Sequence, residues 1–265
     1  MVNNVNAPIG IFDSGLGGLS ILNEIRRLLP SERLIYLADS ANAPYGEKSA
    51  EEIIEISIQN TKRLLDFGCK LIVVACNTAT TNAIHILRNR YVNVPFIGIE
   101  PAIKPAVLES KTGEVGVLAT KGTLSSTLFE SQSKKYQSST KFIEIVGTGI
   151  VEAIESNLED SKEFLIQLKE QLSPLKISNI DYLVLGCSHY PLIENQIKQS
   201  IASHIKLIDS GYAVAKQTRR VLNENNLLND IIKTTPLELI LNGTTIAALE
   251  SILSKLEIED YFISN

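Results

Sequence analysis

The amino-acid sequence predicts an α/β fold made of two pseudo-symmetric parallel-sheet domains. Three observations carry that expectation. Short β-branched runs alternate with longer helical patterns along the chain, the order that builds a parallel sheet flanked by helices. Several of the runs are apolar throughout, as strands buried on both faces are. The two halves also repeat each other. Ile9-Gly10-Ile11-Phe12-Asp13-Ser14-Gly15 matches Val115-Gly116-Val117-Leu118-Ala119-Thr120-Lys121-Gly122, and Val73-Val74-Ala75-Cys76-Asn77-Thr78 matches Val184-Leu185-Gly186-Cys187-Ser188-His189.

Taken in order, the first half is expected to hold strands at 9–12, 34–38, 71–75 and 96–99. Helical patterns lie between them at 19–29, 50–67 and 80–90. Ser49 with Glu52 reads as a capping box that opens the second of these. The second half repeats the scheme, with strands at 115–119, 142–146, 182–185 and 206–208 and helices at 125–136, 151–157 and 192–203. One more helical pattern covers 212–225. No Pro- or Ser-rich linker marks a boundary, which is placed just past the fourth strand, near 99–105. The segment after 208 is expected to return to the first domain, since the second half would otherwise be much the longer. The expected domains are therefore 1–100 plus 209–265, and 101–208. In such sheets ligands bind beyond the carboxyl ends of the strands.

Composition narrows the function class. The 265 residues are 44% hydrophobic and 21% charged, an ordinary globular mixture with enough apolar material for a core. A net charge of −5 argues against a broad nucleic-acid surface, which needs clustered Lys and Arg. It is neutral about a small anionic substrate. The polar, Asn-rich start lacks the pattern of a secretory signal, and the apolar stretches are strand-sized, so no membrane segment is expected. Three cysteines cannot all pair within one chain, and reduced thiols in the cytoplasm are expected.

Cys76 and Cys187 each follow an apolar strand directly and precede a helix. A thiol there faces the positive end of a helix, which favours thiolate, and free N–H groups of the same turn can hold a carboxylate beside it. A lone Cys is more often just a buried side chain, and Cys69, in a helix-to-strand loop, is read that way. Two cysteines in matching contexts on matching halves reverse the weighting. Asp13 and Ser14 end the first strand before Gly15-Leu16-Gly17-Gly18. They read either as a helix cap with a tight turn or as a carboxylate at the same sheet edge as Cys76. The Gly run lacks the spacing of a dinucleotide or phosphate loop. His189, two residues past Cys187, could polarise that thiol, whereas His85 and His204 fall inside helical patterns. No Cys-x-x-Cys or His-x-x-x-His is present, and no metal site is expected. Pro44-Tyr45-Gly46 is a turn by composition and a site loop by position. Glu155, on the short helix, reads by composition as a solvated charge.

Together these motifs resemble glutamate racemases of the aspartate/glutamate racemase superfamily. The matching stretches are 9–18, 44–46, 74–80, 116–120 and 185–191, in the family's order and over most of the chain. The resemblance implies two α/β domains with the site in the cleft between them, no cofactor, glutamate as a small-molecule substrate, D-glutamate for peptidoglycan synthesis, and a homodimer. Carried over by motif, Cys76 and Cys187 are the paired acid–base thiols, Cys76 for D-glutamate and Cys187 for L-glutamate. Asp13 and His189 assist them respectively. Asp13, Ser14, Pro44, Tyr45, Gly46, Asn77, Thr78, Ser188 and His189 are implied substrate contacts. Glu155 is the implied second-domain carboxylate, with Glu152 a competing alignment because the flanking Pro residues of the family are absent. Ser188 stands where the family usually has Thr, and Asn42-Ala43 where it usually has Arg-Phe. A racemase for aspartate, a one-cysteine decarboxylase and a redox or metal-binding protein are the alternatives. Two intact cysteines argue against the decarboxylase.

Overall fold

The computed structural model of the chain describes residues 4–231 and 235–264. The first half runs β1 (Ile9–Asp13), α1 (Leu19–Leu28), β2 (Leu34–Ala38), α2 (Ala50–Asp66), β3 (Leu71–Val74), α3 (Asn77–Arg90) and β4 (Phe96–Gly98). The second half begins with α4 (Ile103–Glu109), β5 (Glu114–Ala119), α5 (Lys121–Leu124), α6 (Thr127–Lys134) and β6 (Lys141–Val146). It continues through α7 (Ile150–Glu155), α8 (Lys162–Gln171), β7 (Tyr182–Gly186), α9 (Glu194–Ser200) and β8 (Lys206–Ile208). The chain ends with α10 (Gly211–Glu224), β9 (Leu237–Leu241), α11 (Ile246–Lys255) and β10 (Tyr261–Ser264).

Every strand pairing is parallel. One sheet has the order β10-β9-β2-β1-β3-β4 and the other β6-β5-β7-β8. Four strands of the first sheet thus repeat the second strand for strand: β2-β1-β3-β4 against β6-β5-β7-β8. The internal sequence repeat is a repeat of topology, and Cys76 and Cys187 follow the equivalent strands β3 and β7. The fold is two pseudo-symmetric α/β domains, each holding its site residues at the carboxyl ends of its strands.

The sandwich of helices and sheet follows from side-chain direction. In β1, Ile9 and Ile11 point toward Leu22 and Ile25 of α1, while Phe12 points to the opposite face with Ile53, Leu64 and Leu87 of α2 and α3. Alternation across a strand demands this split. The first of these clusters continues into the second domain through Leu118, Leu183, Ile193 and Ile197, so one apolar core passes behind the cleft and joins the halves.

Several expected boundaries move for identifiable reasons. The expected helix at 125–136 is α6, which starts at Thr127 because Ser126 caps it by accepting from the Phe129 N–H, and a separate short helix, α5, capped by Thr120 accepting from the Thr123 N–H, precedes it. The expected helix at 192–203 shrinks to α9, since residues 190–193, which include Pro191, form a 3-10 turn first. Helix α3 begins at Asn77 rather than 80, with Cys76 itself as its N-cap. The capping box of Ser49 and Glu52 is present. Elements α4, α5, α8, β9, α11 and β10 were not expected; β9 and β10 extend the first sheet at one edge. Among the described residues no helix is long and apolar enough to cross a membrane.

Candidate active site

A cleft of about 560 Å³ lies between the carboxyl ends of the two sheets, within the range that small-molecule sites occupy. Cys76, Asn77 and Thr78 from the first domain line it opposite Cys187, Ser188 and His189 from the second. Ser14, Pro44, Tyr45 and Gly46 complete the first-domain wall. Both cysteines are free thiols and nearly fully buried.

Cys76 sits where β3 gives way to α3. Its sulfur accepts from the Ala79 N–H at 3.4 Å and donates to Ser14 Oγ at 3.6 Å. The sequence leads one to expect a helix end that favours thiolate. Burial overrides it here: loss of solvent, and then the Asp13 carboxylate, push the thiol up to about 12 despite the Ala79 N–H. Cys76 is therefore a protonated thiol at neutral pH.

Cys187 is set beside His189. Its sulfur lies 3.8 Å from His189 Nδ1, and His189 Nε2 lies 2.7 Å from Glu155 Oε1. A ring nitrogen that close to a carboxylate oxygen needs a proton between them, so Nε2 carries it and donates to Glu155. The Gly17 N–H lies 3.2 Å from the same nitrogen and, with that nitrogen protonated, is a packing neighbour and not a donor to it. Burial alone would lower the His189 pKa, but Cys187 and Glu155 outweigh it and hold the ring well above its ordinary value. Burial would raise Glu155, and the bonds from His189, Leu16 N–H and Ser40 outweigh it and lower it.

Asp13 and Glu155 stand behind the wall rather than on it. Asp13 is fully buried; Oδ2 accepts from the N–H groups of Gly15 and Gly18 at 3.3 and 3.0 Å, and Oδ1 accepts from Ser188 Oγ at 3.0 Å. Asp13 is not among the residues that line the cleft. Its pKa is raised from the ordinary value, by burial first, against the pull of His189. Glu155 takes the position behind His189, and Glu152, the competing candidate, lines the cleft instead.

The Gly-rich turn after β1 exists for close approach. A Cβ on Gly17 would fall 2.2 Å from His189 Nδ1, and one on Gly15 would fall 2.1 Å from Glu155 Oε1. Only glycine lets this first-domain loop lie against the second-domain pair. Tyr45 is anchored from behind, its hydroxyl donating to Asp39 Oδ2 at 2.5 Å, while Asn60 Nδ2 donates to the same carboxylate at 3.1 Å. Asn42, standing where an Arg is usual, donates to both Asp39 oxygens.

Sequence reasoning missed Thr120, Lys121 and Gly122, which line the cleft at the end of β5. Thr120 meets Thr78 across it, Oγ1 to Oγ1 at 3.0 Å. The internal repeat, which sets 119–122 beside 13–15, was a usable signal. It also missed Ser40, which donates to Glu155 Oε2 at 2.9 Å, and for that no local signal existed. Among the described residues no group of three or more His, Cys, Asp and Glu side chains is arranged to hold a metal ion.

Residues 9–218 match the family model described as Asp/Glu/Hydantoin racemase. A glutamate racemase of Ectopseudomonas mendocina is 45% identical over 227 residues, 86% of each chain. The glutamate racemase of Escherichia coli, solved with L-glutamate and the activator UDP-MurNAc-ala, superposes with a TM-score of 0.84 at 32% identity over 97% of each chain. That of Francisella tularensis, solved with D-glutamate, gives 0.85 at 31% identity over 98% of this chain and 97% of the other.

Proposed function

The chain belongs to the Asp/Glu/hydantoin racemase family, and we propose that it interconverts L- and D-glutamate by a cofactor-independent two-thiol mechanism. One observation carries the reading: two cysteines from equivalent strand ends line the same cleft, one beside Ser14 and the other beside His189. Inverting the α-carbon requires one group to take its proton on one face and another to deliver a proton on the other. Cys187, as thiolate beside the His189 cation, takes the α-proton of L-glutamate and becomes a thiol. Cys76 gives its own proton to the opposite face and is left as thiolate, with D-glutamate formed. D-glutamate reverses the sequence.

The substrate carboxylates need donors, and the first-turn N–H groups of α3 at Asn77 and Thr78, with the hydroxyls of Ser14 and Ser188, are the proposed ones. Asn77 Oδ1 is buried with no hydrogen-bond partner among the described residues, a cost that a bound ammonium group would remove. Pro44, Tyr45 and Gly46 form the remaining wall. Asp13, whose carboxylate acts electrostatically on the Cys76 thiol, supports the Cys76 side, and His189 with Glu155 supports the Cys187 side. Glutamate as the substrate is supported by relatives solved with both enantiomers.

The domain boundaries, 1–100 plus 209–265 and 101–208, belong to the same reading and are supported by the membership of β9 and β10 in the first sheet. So do a homodimer, a cytoplasmic setting and use of D-glutamate in peptidoglycan synthesis, which rest on the family resemblance. The test is circular dichroism of L- and of D-glutamate with dialysed, chelator-treated protein. Loss of optical activity from both is expected. Folded protein that leaves both unchanged overturns the proposal.

A further inference from the structure

The Glu155–His189 pair does not end at Glu155. Ser40 Oγ donates to Glu155 Oε2 at 2.9 Å, and Thr244 Oγ1 donates to Ser40 Oγ at 2.9 Å. Ser40 follows β2, Thr244 follows β9, and Glu155 ends α7. A chain of bonds therefore runs from the C-terminal segment of the first domain, across the domain interface, to the Cys187 thiol in the second.

Its direction is fixed by proton count. A serine hydroxyl has one proton to give. By accepting from Thr244, Ser40 is turned so that its own proton points at the carboxylate. Glu155 Oε1 is occupied by His189 and the Leu16 N–H. Ser40 is the donor that the described residues supply to Oε2. Without it the carboxylate keeps its charge, loses one of its three bonds, the one on Oε2, and can rotate away from the imidazole.

The mount of Thr244 is itself built. Ala41 N–H donates to Asn242 O at 2.7 Å and Asn242 N–H to Ala38 O at 2.8 Å, which zips 242–244 onto the turn that carries Ser40. Gly243 has φ +78°, and a Cβ there would fall 2.7 Å from Ala41 N. Asn242 Nδ2 reaches Asp39 Oδ1 from the same segment. The segment thus braces both Asp39, behind Tyr45, and Ser40, behind Glu155.

We propose that Ser40, oriented by Thr244, is a positioning residue for the Cys187 half of the reaction: it holds Glu155 against His189 and leaves the Cys76 half largely untouched. This rests on the two-thiol reading above. A pure inter-domain tie would instead affect both halves equally.

Ordinary racemisation cannot separate the halves. L- and D-glutamate have the same free energy, so kcat/KM is equal in both directions for any variant. The halves separate with β-chloroglutamate. A thiolate removes the α-proton, chloride leaves from Cβ with the bonding pair, and the enamine tautomerises and hydrolyses to 2-oxoglutarate and ammonia. Only the abstracting base is needed. Chloride release is measured from the L- and D-forms with wild type, Ser40→Ala, Ser40→Thr and Thr244→Val, with a thermal melt of each. Ser40→Ala is expected to lose about tenfold on the L-form, the size of one lost hydrogen bond to a charge, and less than about threefold on the D-form. Ser40→Thr restores the L-rate, and Thr244→Val shifts the L/D ratio the same way by less. Equal losses on both forms, or an unchanged ratio in both Ser40→Ala and Thr244→Val, overturn the positioning role. Should Ser40→Ala not fold, the Thr244→Val ratio decides alone. Wild type that eliminates from neither form overturns the two-thiol reading itself, a separate result.

Discussion

Ser188 Oγ donates to Asp13 Oδ1 at 3.0 Å, so the carboxylate at the end of the first domain's central strand is held by the residue after the second domain's thiol. The reverse tie also exists: Glu155, the partner of His189 in the second domain, accepts from Ser40 and from the Leu16 N–H of the first. Each thiol's supporting carboxylate is therefore bonded to the opposite domain, and its placement depends on the domains meeting. Ser188→Ala should remove the Asp13 tie and the cleft-facing hydroxyl together. An effect of about 1.5–3 kcal/mol, the worth of a hydrogen bond to a charge, corresponds to roughly a ten- to hundredfold loss of kcat/KM. Ser188→Thr keeps the hydroxyl and should retain activity. Steady-state kinetics of both variants check this; an inactive Thr variant with an active Ala variant contradicts it.

The two thiols should divide the work. Replacing Cys76 or Cys187 with Ser leaves a much weaker base at neutral pH, and racemisation should collapse in both directions by about 10²–10⁴. Elimination from β-chloroglutamate should survive selectively: from the L-form in Cys76→Ser and from the D-form in Cys187→Ser. Loss of both forms in both variants would refute the assignment, as would full racemisation in either.

Gly17→Ala tests the close approach of the two domains. The new Cβ would sit 2.2 Å from His189 Nδ1 and 2.6 Å from its backbone nitrogen. The backbone contact cannot be relieved by a side-chain rotation, so the loop and His189 must separate. Activity should fall by more than tenfold, about the loss of one good contact, while far-ultraviolet circular dichroism stays native. Wild-type kinetics in this variant would mean that the cleft does not close this way in solution.

Burial of two thiols predicts an alkaline limit to stability. Cys69 and Cys76 are both pushed up from 9.0 to about 12, by burial first. Between those values the folded chain keeps both protons while the unfolded chain has released them. Their contribution is present below pH 9.0 and is lost as the pH rises through about 12. The melting temperature should fall steeply over that window. Cys69→Ala, a change remote from the cleft, should flatten the fall, and a slope identical to wild type would remove Cys69 as a source.

The fold and the two thiols were legible because their signals are local. An apolar strand, then Cys and a polar cap residue, can be read within a few positions, and the repeat shows it twice. Strand β9 was not legible, since Glu238 breaks its apolar run; there it accepts from Ser264 of β10 at the sheet edge. Ser40 was not legible because its meaning lies in Glu155, 115 residues away. The Cys76 environment was misread for a different reason. That a helix follows Cys76 was legible, though it starts at Asn77 and not at 80, and the degree of burial that overrides its N-terminus is a property of the assembled cleft.

The choice between Glu155 and Glu152 can be made by titration. Glu155 touches His189 Nε2 at 2.7 Å, whereas Glu152 lines the open cleft. The His189 pKa stands well above its ordinary 6.5 against the lowering effect of burial, through Cys187 and Glu155; Glu155 is lowered from its ordinary 4.5, because His189 and its other partners outweigh burial. The signs give the window. The raised His189 stabilises the fold fully below 6.5 and less as pH rises through its folded value, while the lowered Glu155 stabilises it fully above 4.5 and less as pH falls through its folded value. Both contributions are complete only between those two values. Glu155→Gln should lower the His189 pKa, followed by NMR of the ring protons, and should remove the stability maximum in that window. It should also slow elimination from L-β-chloroglutamate more than from the D-form, since the ring it supports faces Cys187. Glu152→Gln should leave the His189 titration where it is. A His189 pKa that moves in Glu152→Gln and not in Glu155→Gln would reverse the assignment and, with it, the placement of Ser40.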